Sequence, residues 1–356
     1  MKKVGIKSMA TTFAGCLLGA GYMSGQELWQ YFGSFGKIGL TGLIISILII
    51  AASSYLIMFV ARKNNAYDFD TLLIRKNIPW LRRIVGLLLS ALYIVVALIM
   101  VAGISSLGYQ MLGIPNYIGA GIASVLLMCC VYFGLSGVIA IFEIAVPCLI
   151  LVALLISAFR IMQTGVANID FSVDTINPML GSWKFSALNY ATLNIFASLG
   201  IIAPISPRLK DKKAAPLGIL IGSLFLIIIA IAIITALACD RACTGSDLPM
   251  LSLADNMGYL YGVVYAILLF MAMFSNGNAT IVAATNYLEN RIPPMKQHRI
   301  LSIIIIGVLI YCLSLFGFSN LIAKVYPIIG YIGIASMILV TEQAIQIIIH
   351  EKKPGI

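Results

Sequence analysis

Gly19-Ala20-Gly21-Tyr22-Met23-Ser24-Gly25-Gln26-Glu27 is the stretch whose reading decides the fold. Apolar sequence flanks it on both sides, which places it at bilayer depth, yet its three glycines oppose a continuous helix. Its last four residues read as a capping box, in which the Ser24 hydroxyl takes a backbone N–H and the Glu27 carboxylate reaches back. A helix-start signal inside a span predicts that one helix stops there and another begins. Bare backbone at that depth is tolerated only where it is buried in protein or lines a cavity. Half-helices that meet at mid-depth are one way in which secondary transporters hold solute and ions.

Composition agrees with a membrane setting. Of 356 residues 61% are hydrophobic and 10% charged, and the mean hydropathy is +1.03. A soluble domain carries about a quarter charged residues. The reading is therefore an all-α membrane protein whose partner is the lipid bilayer. No polar stretch is long enough for a second domain, so 1–356 is read as a single transmembrane domain. The net charge of +10 does not point to nucleic acid, because the basic residues alternate with the spans. Met1-Lys2-Lys3 resembles a signal peptide and Phe13-Ala14-Gly15-Cys16 a lipoprotein cleavage box. Lys7 interrupts the would-be apolar core, so neither is expected. Cys16, Cys129, Cys130, Cys148 and Cys312 read as small apolar filling. Cys239 and Cys243 are close enough in sequence to bridge, with two free thiols the expectation.

Ten segments are long and apolar enough to cross, at about 8–33, 38–61, 82–112, 117–135, 138–163, 185–207, 216–239, 258–288, 299–318 and 324–349. Lysine and arginine support that count. With the N-terminus inside, 18 of the 23 basic residues fall in inner segments. Only Lys37, Arg160, Lys184, Arg241 and Lys324 fall outside. By the positive-inside rule both termini are cytoplasmic, in the cell membrane. The long third and eighth spans suggest tilt or extension into water. Two loops carry a pattern of their own. The inner 67–81 reads as a short amphipathic helix, and the outer 246–257 as a re-entrant lid or an interfacial helix.

Two five-span halves of opposite orientation, about 8–163 and 185–349, would pair the first span with the sixth. The sixth reads Asn189-Tyr190-Ala191-Thr192-Leu193-Asn194-Ile195-Phe196-Ala197-Ser198-Leu199-Gly200, with Pro204 and Pro207 closing it. This is a second run of poor helix formers at mid-depth. Matched irregular spans in two halves are the pattern of inverted repeats.

With Leu28-Trp29-Gln30-Tyr31-Phe32 after it, the GAGYMSGQE stretch resembles the signature of the YkvI-type membrane transporters, which are similar to the LeuT-fold amino acid–polyamine–cation superfamily. The resemblance covers essentially the whole chain in span count. It implies a LeuT-like 5+5 inverted repeat of ten transmembrane helices, with spans one and six discontinuous. It also implies a sodium site, carried over residue by residue: carbonyls of Gly15 and Leu18, the Ala272 carbonyl and the Ser275 hydroxyl. Asn276 stands where the relatives have a second hydroxyl, which is a departure from their pattern. No lysine lies between Val138 and Arg160, where proton-coupled relatives can place one, and this tilts towards sodium as coupling ion, with no other cofactor. The same small polar residues would equally serve close helix packing.

Solute candidates are Gly19, Gly21, Tyr22, Met23 and Ser24 in the first break, with Asn194 and Ser198 in the sixth span. Trp29, Tyr93 and Tyr109 are candidate aromatic lids, or simply packing. Glu27, Glu143 and Glu342 are the carboxylates within spans, where such groups face a cavity or pair. They are gating or proton candidates. An ionised Glu27 facing the cavity favours an amine over a bare carboxylate, and its alternative role is to cap the restarting helix.

Enzyme chemistry is not expected. Gly134-Leu135-Ser136-Gly137 imitates a rhomboid-type serine motif, but His298 and His350 fall in inner segments and cannot complete a dyad. A metal carrier of the manganese and iron type would show Asp-Pro-Gly-Asn in its first span, and this chain does not. The expectation is sodium-coupled symport of a small amino acid or amine-containing solute. A proton-coupled transporter of the same fold and a non-transporting sensor subunit are the alternatives. Oligomeric state is not legible.

Overall fold

The computed structural model describes residues 4–65, 72–74, 78–133, 138–210 and 213–351. The first hydrophobic segment is a chain of three helices: α1 Ile6–Leu17, α2 Ala20–Met23 and α3 Gln26–Tyr31. After it come α4 Lys37–Asn64, α5 Pro79–Leu112, α6 Asn116–Phe133, α7 Val138–Thr164, α8 Trp183–Ile205 and α9 Ala214–Ala238. The chain continues through α10 Pro249–Met257, α11 Tyr259–Arg291, α12 Pro293–Gln297, α13 Arg299–Ser314 and α14 Phe318–Glu351.

Local chemistry sets the ends. Pro79 and Pro249 open α5 and α10, where the missing N–H costs nothing. The Ser182 hydroxyl accepts the Phe185 amide at 3.4 Å and caps α8. Gly113, at a φ of +68°, ends α5 and gives its amide to the Tyr109 carbonyl at 3.0 Å.

Among the described residues, six helices are long and apolar enough to cross a membrane. They lie in α4, α5, α7, α9, α11 and α14. Trp183–Leu199 and Ile202–Arg208, bent by 54°, make a seventh if they count as one span. Two shorter apolar helices, Asn116–Tyr132 and Arg299–Ser314, stand beside them. α5, with 34 residues, extends for about 50 Å and outruns a hydrocarbon core of about 30 Å.

Small residues let the helices meet backbone to backbone. A Cβ on Gly333 would sit 2.2 Å from the Thr192 carbonyl oxygen, so α14 runs directly against α8. Asn189 and Thr192 tie the two helices further, Nδ2 donating to the Pro327 carbonyl at 2.9 Å and Oγ1 to that of Gly330 at 2.7 Å. Close contact of this kind substitutes for the hydrophobic drive that lipid removes.

The described parts of both patterned loops lie on protein. The 246–257 loop forms α10, whose Met250, Leu251, Leu253 and Ala254 are buried, so its apolar face lies on protein. Most of 67–81 is outside the described residues. Leu72, Leu73 and Ile74 are buried, and Gln343 Nε2 donates to the carbonyls of Leu72 and Leu73 at 2.9 and 3.1 Å. All seven cysteines are free thiols, and burial pushes the Cys243 thiol up to about 12.

Candidate functional site

Helical bonding fails first at Leu17. The Gly19 amide turns back to the Leu17 carbonyl at 2.8 Å and so does not reach that of Gly15. Among the described residues no amide four positions on takes the Leu18 carbonyl either. Two carbonyl oxygens are thereby released within the first segment. The capping box does not form as its spacing suggests. Gly25, at a φ of +81°, precedes α3, and no side chain caps that helix. Ser24 Oγ accepts the Gln26 amide at 3.3 Å and donates to the Gly21 carbonyl at 3.0 Å. The left-handed turn at Gly25 swings Glu27 away from the backbone it would have capped.

Glu27 instead folds over Gly21. Its Oε2 is 2.5 Å from where a Cβ on residue 21 would stand, so only glycine leaves it room. The carboxylate is 5% exposed, and its neighbours are Tyr22, Tyr31, Tyr190 and Tyr326. The buried Tyr190 hydroxyl lies beside it without meeting hydrogen-bond geometry. No ion pair to Glu27 occurs among the described residues.

α11 runs past the same break. Asn276 Nδ2 lies 3.6 Å from the Cβ position of Gly19 and meets Met100 Sδ at 3.7 Å. Ala272, one turn before Asn276, and Ser275, immediately before it, are buried. Ser275 Oγ and Asn278 Oδ1 are buried without a partner. The predicted sodium residues are thus split. Gly15, Leu18 and Ser275 offer uncommitted oxygens, whereas Asn276 turns its nitrogen towards the break, and Asn278 supplies the orphaned amide oxygen. Oxygen atoms of this kind are the ligands a hard cation prefers. Among the described residues no three His, Cys, Asp or Glu side chains converge.

Other candidates are already engaged. The Tyr22 hydroxyl donates to the Leu226 carbonyl at 2.6 Å, and the Tyr265 hydroxyl to that of Met23. Asn194 Nδ2 and Ser198 Oγ bond back to Tyr190 and Ile195 within their own helix, at 2.9 and 3.0 Å. Glu342 is exposed and takes Gln346 Nε2 at 3.0 Å, and Tyr109 is 60% exposed, so neither faces the break. The Glu143 side chain lies outside the described residues.

Beyond the break the ends of four elements are tied. Gln26 and Gln30 donate to Ser319 Oγ at 2.5 and 3.3 Å. The Ser319 amide and Ser106 Oγ donate to Asp247 Oδ1 and Oδ2 at 3.4 and 2.7 Å. The Met250 amide, at the start of α10, donates to the Ser24 carbonyl at 2.9 Å. Trp29 is clamped nearby, Nε1 donating to Asp174 Oδ2 at 3.2 Å, with Arg241 5.7 Å from its ring. The Ser172 amide and hydroxyl, then Arg241, hold the Asp170 carboxyl below its ordinary range. Burial pushes Asp174 up, but the Thr175 amide, Trp29 and Arg241 outweigh it and lower it. Asp247 and Ser319 carry no motif, and no sequence signal marked them.

Solved structures with this helix arrangement are transporters. MhsT in complex with L-phenylalanine matches with a TM-score of 0.60 and 15% identity, over 94% of this chain and 86% of that one. The chain has the LeuT-type fold. Mhp1 in an inward-facing conformation matches at a TM-score of 0.55 and 10% identity, over 90% and 76%. The Eremococcus coleocola manganese transporter, bound to an aromatic bis-isothiourea compound, matches at 0.53 and 15%, over 94% and 85%. In sequence the chain is 22% identical to the membrane protein YkvI of Bacillus subtilis (strain 168), over 92% of each. It is 27% identical to YyaD of the same organism, over 90% of this chain and 91% of that protein. No protein-family model matches. The fold is one that solved transporters share, and one of the two sequence relatives is a membrane protein.

Proposed function

We propose that this protein is a secondary transporter of ten spans in two inverted five-span repeats, moving a small amino acid or amine-containing solute inward with sodium. The ten-span reading counts the interrupted first segment and the two shorter apolar helices as crossings, and takes the 54° bend of α8 as the partner of the first break. Both termini are cytoplasmic, which puts Asp247 and α10 at the outer face. The observation that carries the proposal is the first segment itself. It stops at Leu17, and Gly19 in the gap that follows lies against Asn276 of α11, 3.6 Å from its Cβ position, one residue from the buried, unpartnered Ser275 hydroxyl.

Sodium would rest on the Gly15 and Leu18 carbonyls with Ser275, and Asn278 is a better oxygen donor there than Asn276. Glu27 supports an amine on the solute. It is a buried carboxylate without a cationic partner among the described residues, and such a charge is stable only when something neutralises it. The same carboxylate favours a second reading, in which a proton takes the place of sodium. Uptake into proteoliposomes, scanned over amino acids and amines, separates these. We expect accumulation that collapses when choline replaces sodium, and that falls at least tenfold in a Ser275→Ala, Asn278→Ala double variant. Uptake driven by an inward proton gradient in choline would reject sodium coupling. No uptake of any amine or amino acid under either gradient would reject the solute class.

A further inference from the structure

A groove of about 590 Å³ runs along the outside of the molecule between α6 and α13, away from the break. Ser124, Met128, Tyr132, Ile300, Gly307 and Tyr311 mark its walls. The helices are antiparallel there. Gly121 faces Tyr311 at 3.6 Å from its Cβ position, Gly307 faces Met128, and the Arg299 guanidinium donates to the Val131 carbonyl at 3.4 Å. Close contact at Gly307 holds the backbones together, while the larger residues splay apart and open the channel.

We propose that this groove is a binding site for an anionic phospholipid, one acyl chain in the channel and the phosphate at its Arg299 end. Two observations carry it. The walls extend from Gly121 to Tyr132 and from Ile300 to Tyr311, about 16 Å along each helix, and one leaflet of a hydrocarbon core is about 15 Å deep. At one end the apolar walls give way to Lys296, His298 and Arg299, all exposed. Glu289 takes Arg299 Nε at 3.2 Å, yet the arginine side chain stays 47% exposed, so a phosphate can still reach it. A basic cluster beside an apolar slot between spans is the arrangement that recognises acidic headgroups.

The test uses purified full-length protein titrated with dioleoyl phosphatidylglycerol or with the phosphatidylcholine of the same chains, read by native mass spectrometry and by thermal unfolding. Phosphatidylglycerol is expected to remain bound and to raise the unfolding midpoint, and phosphatidylcholine to do so far less. Lys296→Gln with Arg299→Gln should erase the preference, by roughly fivefold for each charge removed. Ser124→Leu with Gly121→Leu, which fills the channel, should lower retention of both lipids while the helical circular dichroism is unchanged. Arg62→Gln with Lys63→Gln, at the end of α4, is the control and should keep the preference. Equal retention of the two lipids by the wild type would overturn the proposal. So would a preference that survives both groove variants, or one that the control lowers as much as Lys296→Gln with Arg299→Gln. Transport is not read in this assay, so its outcome is independent of the proposed function.

Discussion

Glu27 is legible as an oddity in the sequence, but its partner is not. A carboxylate in a span with a serine three residues before it satisfies the capping pattern, and the pattern takes no account of the turn between them. Gly25 at a φ of +81° removes the carboxylate from the backbone and delivers it to the empty side of Gly21. Two predictions belong to this pair. Glu27→Gln keeps the shape and removes the charge, and a charge-assisted contact of about 1.5–3 kcal/mol is then lost. Amine uptake should fall by roughly tenfold to a hundredfold with the unfolding midpoint nearly unchanged. Gly21→Ala should also lower uptake, through a clash at 2.5 Å, and with it stability by about 1–3 kcal/mol, the usual cost of overpacking. A Glu27→Gln protein that transports at the wild-type rate would remove the carboxylate from the mechanism.

Among elements, the sequence is most informative where hydropathy runs long and least where function needs short pieces. α4, α5, α9, α11 and α14 follow from apolar length alone, and the glycines announce an interruption of the first segment, though they suggest one restart where the structure has two. What composition does not disclose is which polar groups meet across helices. Asn189 and Thr192 read only as part of a run of poor helix formers, yet Asn189 Nδ2 donates to Pro327 and Thr192 Oγ1 to Gly330 on α14. The polar run of α11 shows oxygen ligands in its composition, but only coordinates reveal that Asn276 turns its nitrogen towards Gly19 and that the Asn278 oxygen is buried without a partner. The 165–182 loop carries a prediction at this scale. Asp170 and Asp174, both held below the ordinary range, fasten it to Arg241 and Trp29. A depressed carboxylate contributes stability above its unfolded value, about 3.9, and loses it as pH falls through the folded value. With Trp80→Phe and Trp183→Phe leaving Trp29 as the sole tryptophan, its emission should be flat from pH 7 to about 4 and shift below that. Arg241→Met should move the shift to higher pH. A wild-type transition centred near pH 5 or above would show that this clamp is not what fixes Trp29.

At the scale of the whole molecule, the proposed function requires one end of the bundle to release to admit solute, and the bonds around Asp247 are contacts that would then have to break. Gln26 and Gln30 lie on the interrupted segment, Ser319 opens α14, Ser106 is on α5, and Asp247 leads into α10. One carboxylate therefore joins the 246–257 loop to two long helices, while Ser319 holds both glutamines of the first segment. Each bond is worth about 1 kcal/mol net, which is comparable to the few kcal/mol that separate two conformers of such a protein. Removing Asp247 need not unfold anything to change which state prevails. Spin labels at Asn256 and Asn320, both exposed, report the separation of α10 from the start of α14. In the wild type without solute gradients a narrow distribution is expected, and Asp247→Ala should add a longer component of roughly five- to tenfold greater weight. Ser106→Ala, which removes a single donor, should produce a smaller shift in the same direction. The latch would be refuted if Asp247→Ala left the distribution unchanged while solute-dependent changes were still observed elsewhere in the bundle. In that case this end of the bundle would be held by the buried face of α10, and the polar bonds would only follow its movement.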